Sequence, residues 1–191
     1  LTKDDIIEFT SLIEKNSQLL MVLISDILDL SKIESNTMEF NFCNISLHQV
    51  LNEIGSAQRM NMKEGVELLL DLPGQEITIA TDPTRLSQVI NNLVNNAIKF
   101  TSEGNICIGY RPAASGRVKI FVEDTGTGMA KEVIEHIFDR FYKGDAFKQG
   151  TGLGLAICRT IAERFKGKIE VASTPGKGTR FTIILPLKVE E

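Results

Sequence analysis

Apolar residues open the chain in alternating steps of three and four: Phe9, Ile13, Leu20, Leu23, Ile27 and Leu30, with Asn16 filling the one gap. This spacing predicts a single long helix over residues 1–35 that carries a heptad seam. A second set, Leu12, Leu19, Val22 and Ile24, widens the apolar face beyond the need of a two-stranded coiled coil. The helix therefore reads as one member of a bundle. Thr2, followed three residues later by Asp5, can cap its start.

From Thr37 the period drops to two, and Met38, Phe40 and Phe42 alternate as in a strand. Ser46 with Gln49 has the form of a capping box and opens a helix through Val50, Leu51 and Ile54. Residues 66–72 and 76–81 read as short strands. Asp82-Pro83 is a helix start, since Asp can cap and Pro suits the first helical position. That helix buries Leu86, Val89, Ile90, Leu93, Val94, Ala97 and Ile98 and ends near Phe100. A hairpin over 105–111 and 117–124 follows, then a short helix over 131–137, a polar glycine-bearing loop over 140–152 and a helix over 152–165. The last pair of strands, 168–173 and 179–185, turns around Pro175-Gly176. Strands and helices alternate irregularly, which predicts an α/β (α+β) sandwich: one mixed sheet with helices on one face, preceded by the long amphipathic helix. The division expected is 1–35 for the bundle helix and 36–191 for the compact domain.

Composition narrows the partners. Net charge is −4 with acids and bases interspersed, which offers no basic footprint for nucleic acid. Cys43, Cys107 and Cys158 are odd in number and widely spaced, with neither metal-binding spacing nor a disulfide framework. They read as small core residues of a protein in a reducing compartment. The apolar run over 19–24 stops at Asp26, far short of a bilayer span. The first residues lack a signal-peptide pattern and read as a cut inside a longer protein.

Two glycine clusters carry candidate chemistry: Asp124-Thr125-Gly126-Thr127-Gly128 and Gly150-Thr151-Gly152-Leu153-Gly154-Leu155. Neither is a Walker A loop, and Leu155 stands where a dinucleotide fingerprint needs its third glycine. In the second cluster, residues without side chains let backbone N–H groups approach a phosphate at a helix start. The first follows a strand and presents the Asp124 carboxylate, a hydrogen-bond acceptor suited to an amino group such as that of adenine. On the helix after Asp82, the steps of four and three put Asn92, Asn96 and Lys99 on one face. Amide oxygens there suit Mg²⁺, and Lys99 adds a point charge for phosphate. Taken singly, Asn92 is an ordinary helix-face hydrogen bonder and Asp124-Thr125-Gly126 an ordinary turn. Their conjunction in this order is what carries the reading.

These motifs resemble the sensor histidine kinases. Asn92-Leu93-Val94-Asn95-Asn96-Ala97-Ile98-Lys99-Phe100-Thr101 is similar to their asparagine box, and Asp124-Thr125-Gly126-Thr127-Gly128-Met129 to their first glycine box. Phe138-Asp139-Arg140-Phe141-Tyr142-Lys143 resembles the phenylalanine box, Gly150 to Leu155 the second glycine box, and Gly176-Lys177-Gly178-Thr179-Arg180-Phe181 the last. Leu28-Asp29-Leu30-Ser31-Lys32-Ile33-Glu34 is similar to the exit of the second dimerisation helix. The resemblance covers essentially the whole chain. It implies the Bergerat ATP fold shared with gyrase, the heat-shock chaperone and MutL, with ATP and Mg²⁺ as ligands.

Carried over residue by residue, Asp124 reads the adenine amino group, with Thr179 supporting it through water. Gly126 and Gly128 let the backbone pass the base, and Phe100 lines it. Asn96 holds the metal, Asn92 stands beside it and Lys99 points toward the phosphates. Thr151, Gly152, Leu153, Gly154 and Leu155 wrap the phosphates. Arg140 and Lys143, where a lid over 143–150 begins, are candidates to reach the terminal phosphate. Thr127 departs from the aliphatic residue usual in relatives. The resemblance also implies a homodimer through the first helix, a response regulator receiver domain as partner, and a cytoplasmic segment of a membrane-anchored receptor.

Only two histidines exist, His48 and His136, and neither is followed by the acidic residue, arginine and proline that mark the family's phosphorylated histidine. Both read as ordinary packed or surface side chains, so the expected activity is transfer from ATP to a histidine outside the chain. Two other readings share the glycine boxes: a serine kinase of the anti-sigma-factor type, and a nucleotide-binding switch that transfers nothing. The long helix and the phenylalanine box argue against the first.

Overall fold

The computed structural model describes residues 2–144 and 150–188, so residues 145–149 of the expected lid lie outside it. The first helix, α1, spans Lys3–Glu34, with Thr2 and Asp5 forming the reciprocal capping box at its start. The remaining elements are β1 (Cys43–Ser46), α2 (Leu47–Arg59), β2 (Val66–Asp71), β3 (Thr78–Thr81), α3 (Pro83–Phe100), β4 (Gly104–Ala113) and β5 (Arg117–Asp124). They continue with α4 (Lys131–His136), α5 (Gly154–Arg164), β6 (Lys168–Thr174) and β7 (Gly178–Pro186).

Five strands form a mixed sheet in the order β2-β4-β5-β7-β6, parallel only between β2 and β4. Strands β1 and β3 pair antiparallel in a separate two-stranded sheet. The mixed sheet has helices packed on one face, as the periodicities predict. Leu86, Ile90, Leu93 and Val94 of α3 are buried against Ile106 and Ile108 of β4, Ile120 and Val122 of β5, and Ile157 and Ile161 of α5. Burying each such side chain contributes about 1.5–3 kcal/mol, so this layer is the chief source of cohesion. Among the described residues no helix is long and apolar enough to cross a membrane.

Asp82 explains why α3 starts where it does. Its Oδ1 accepts from the Arg85 amide at 3.0 Å, and its Oδ2 accepts from the Asn41 amide at 2.8 Å. One buried carboxylate thus caps the helix and holds the incoming chain.

Several expectations need correction. Met38, Phe40 and Phe42 belong to an extended segment with no strand partner. Their alternation serves packing instead: Met38 is buried, and Phe40 and Phe42 set their rings against Phe165 at 5.7 and 5.9 Å. Ser46 caps α2 by accepting from the Gln49 amide, but the Gln49 side chain turns forward to Glu53, leaving half a capping box. The strand over 76–81 shortens to β3 because its first residues turn aside: Glu76 bonds the Ser46 hydroxyl, and the Ile77 amide donates to the Tyr110 hydroxyl. The helix expected from Gly152 begins at Gly154, and no side chain caps it. Of the three cysteines only Cys158 is a core residue; burial pushes its thiol up to about 12, so it stays protonated. Cys43 is exposed and Cys107 half-buried.

The seam of α1 is split in two. Phe9, Ile13, Leu20 and Ile27 are exposed. Leu23 and Leu30 turn inward with Leu19, Asp26, Asp29 and Ile33, facing the domain. The docked face is held by polar bonds: Arg85 pairs with Asp29 at 3.1 Å, and the Gln88 amide donates to the other oxygen of Asp29 at 2.6 Å.

Candidate functional site

Helix α3 is the spine of the site. At its C-terminal end the Phe100 carbonyl accepts from the Thr127 amide at 3.2 Å, pinning the loop that follows β5. A Cβ at Gly126 would collide with that same carbonyl, so glycine is required where the two backbones cross. Two turns back along α3, or about 12 Å, Asn92 reaches the other side of the site. Its amide group lies 3.5 Å from the Gly154 carbonyl at the start of α5. A cavity of about 560 Å³ runs along this span.

One end is built by the sheet. The register of β5 on β7 sets Asp124 opposite Thr179. Both are buried, and Thr179 shares its hydroxyl bond with Ser173 at 2.8 Å. Burial pushes the Asp124 carboxyl above the usual carboxylate range, opposed by bonds from the Gly126 and Thr179 backbones. A buried carboxylate facing a cavity is a strong acceptor that demands a donor.

The other end is built by α3 and the segment before α5. Asn92, Asn96 and Lys99 line it together with Gly150, Thr151, Gly152 and Gly154. A Cβ on Gly150 would come within 3.2 Å of the Lys99 ammonium, which stands 4.9 Å from the centre of the Phe100 ring. Gly152 has φ +72°, and a Cβ there would approach the Phe141 backbone to 2.7 Å. Its carbonyl accepts from the Phe141 amide at 2.8 Å, fastening the phenylalanine box to the glycine box. This end offers a cation, amide oxygens and a helix N-terminus, a set that suits a polyanion with a hard cation.

Most of the residues singled out from the sequence meet at this cavity. Asn92, Asn96, Lys99, Phe100, Asp124, Thr127, Gly128, Lys143, Thr151, Gly152, Gly154, Leu155 and Thr179 line it. Gly126 acts from behind it, as a backbone crossing. The side chain of Leu153 is fully buried in the core, leaving only its amide near the cavity, and that amide donates to the Thr151 hydroxyl at 3.1 Å. Arg140 pairs with Glu34 at the end of α1. Neither histidine belongs to the site: His48 bonds the buried Tyr110 hydroxyl, and His136 pairs with Asp139 at 2.8 Å on the surface.

The sequence reading missed Asp26, Met129, Ile137 and Tyr142, which also line the cavity. Met129 and Ile137 supply an apolar wall, and nothing in their local pattern distinguishes them from core. Asp26 did leave a signal: it interrupts the apolar series Leu19, Leu23, Leu30 at the step where an apolar residue belongs.

Comparison with known proteins agrees with this geometry. Residues 81–189 match the family model described as histidine kinase-, DNA gyrase B-, and HSP90-like ATPase. The chain is 39% identical over 179 residues to the sensor histidine kinase RcsC of Escherichia coli K12, covering 90% of this chain and 19% of that protein. It is 31% identical to the sensor histidine kinase WalK of Bacillus subtilis, covering 99% of this chain and 32% of that protein. It therefore spans between a fifth and a third of these relatives' length. Among solved structures, full-length ShkA in complex with AMPPNP superposes with a TM-score of 0.86 at 28% identity, covering 100% of this chain and 40% of that one. The Acinetobacter baumannii histidine kinase AdeS gives 0.77 at 26% identity, covering 95% and 84%. Family model, relatives and the geometry of the cavity converge: the chain belongs to the histidine kinase-, DNA gyrase B- and HSP90-like ATPase family.

Proposed function

We propose that this chain is the ATP-binding catalytic part of a sensor histidine kinase, transferring the γ-phosphoryl group of Mg·ATP to a histidine carried on a helix outside the chain. The observation that carries the reading is the single cavity joining a buried acceptor, Asp124, to the Asn92, Asn96, Lys99 and Gly150–Gly154 end. Adenine's amino group meets Asp124, supported by Thr179, and the polyphosphate runs along α3 toward the start of α5. Asn96 would hold Mg²⁺ with Asn92 beside it; the ion supplies charge neutralisation of the phosphates. Lys99 and the amides around Gly152 share that role. The protein forms no covalent intermediate in this scheme. Its contribution is position and charge.

In the same reading, residues 1–35 are the second helix of the dimerisation domain and 36–191 the catalytic domain. The exposed Phe9, Ile13, Leu20 and Ile27 face forms a homodimeric bundle. The phosphohistidine serves a response regulator, and the segment lies in the cytoplasm of a membrane-anchored receptor.

The test is incubation of the protein with labelled ATP, with and without a separate fragment carrying the first dimerisation helix. Acid-labile label is expected on the added fragment alone. Stoichiometric label on His48 or His136 would overturn the assignment of an outside acceptor, and ATP binding with no transfer would favour a nucleotide switch.

A further inference from the structure

Asp26 is a buried carboxylate that the proposed reaction does not use. It sits on α1, outside the segment matched by the family model, yet it lines the same cavity as Asn92, Asn96 and Lys99. Its Oδ2 accepts from the Thr151 hydroxyl at 2.7 Å, and that hydroxyl in turn accepts from the Leu153 amide at 3.1 Å. The relay therefore occupies an N–H group beside the start of α5, one of the donors that a phosphate would use. It also brings a negative charge to the glycine-box end of the cavity, with Asp29 one turn further along α1.

Placement along α3 gives this charge its meaning. Asp124 marks the base end, near Phe100, and Thr151 neighbours Gly150 and Gly152 at the opposite end. A diphosphate chain started from the base end stops one phosphate short of where a triphosphate stops. In the proposed orientation the third phosphate is the one directed toward Asp26 and the Thr151–Leu153 donors.

We infer that docked α1 is a filter on phosphate-chain length: through Asp26 it opposes a nucleoside triphosphate while tolerating the diphosphate, so triphosphate binding and helix docking compete. This rests on the nucleotide reading of the cavity. The competition follows from like charge at short range in a partly desolvated site, where repulsion between a carboxylate and a phosphate is weakly screened. Burial also pushes the Asp26 carboxyl upward, with the Thr151 bond opposing and Asp29 adding to the effect, so the docked helix already carries a charge at a cost. Asp29, Arg85 and Gln88 hold the helix down, and Asp26 sets what the docked state accepts.

Asp26→Asn is the discriminating variant, because the amide oxygen can still accept from Thr151 while the charge is gone. The measurement is calorimetric affinity of the wild-type and variant 191-residue proteins for Mg·ADP and Mg·AMPPNP. The variant is expected to bind AMPPNP about tenfold more tightly than wild type, with ADP within about twofold. A second readout is hydrogen exchange across α1: in wild type AMPPNP should speed it and ADP should leave it unchanged. Equal tightening toward both nucleotides, or an unchanged ratio with both bound, overturns the filter. Failure of either protein to bind any adenine nucleotide is a different result, one that removes the nucleotide site itself and the filter with it.

Discussion

The Gly126 amide donates to Oδ1 of Asp124 at 2.9 Å, so the loop that leaves β5 folds back and fixes the carboxylate that begins it. The bond holds one oxygen in place at the edge of the cavity, and no side chain at 126 could allow the crossing with Phe100. The acceptor is preorganised by backbone alone. Asp124→Asn should therefore keep its shape and lose its complementarity, weakening ATP by about 1–3 kcal/mol. Calorimetric titration checks it, and wild-type affinity in the variant would mean that another group reads the base.

Acidification should weaken nucleotide binding before ordinary carboxylates titrate. Burial raises the Asp124 carboxyl, and protonation turns an acceptor into a donor facing the adenine amino group. Affinity should be full above the raised value and fall as pH drops through it. For the unliganded fold the sign reverses. A raised carboxyl binds its proton more tightly folded than unfolded, so its contribution is most favourable at low pH and is lost as pH rises through the same window. The affinity profile of Asp124→Asn should be flatter across that window.

Asn96→Ala is expected to leave thermal stability near wild type, since the side chain is only half-buried and lines the cavity. It should weaken Mg·ATP far more than metal-free ATP. Titrations with and without magnesium decide the matter, and equal weakening in both would remove Asn96 from the metal.

Docking of α1 depends on Asp29, whose two oxygens take Arg85 and Gln88. Both ion-pair partners are largely covered, at 19% and 10% side-chain exposure, so water replaces the bond poorly. Asp29→Ala should cost about 1–3 kcal/mol. Amides over 19–33 should exchange faster in the variant while those of α3 remain protected.

How much of this was legible in the sequence follows the range of the forces involved. Local rules served well: the Thr2–Asp5 box, the Asp82-Pro83 start and the glycines at 126 and 152 are each decided within a few residues. The asparagine face was legible because helical spacing alone aligns Asn92, Asn96 and Lys99. Long-range packing was not. Met38, Phe40 and Phe42 alternate like a strand because they wrap around Phe165, far away in the chain. Asp26 interrupts the apolar series of α1, but its partner Thr151 lies far away in the chain and no local pattern identifies it. Arg140 was read toward phosphate on its position in the box, whereas the structure pairs it with Glu34.

The pairing of β5 with β7 also sets an order of assembly. Asp124 and Thr179 become neighbours only when β7 inserts between β5 and β6, after the chain has travelled through α4, α5 and β6. The β4–β5 hairpin is local and quick to form, but this closure joins distant segments and carries the larger entropic penalty. The Asp124–Thr179 end of the cavity thus closes only with this long-range pairing, and a chain that has formed the β4–β5 hairpin alone lacks it. Nucleotide captured during refolding would mark completed molecules.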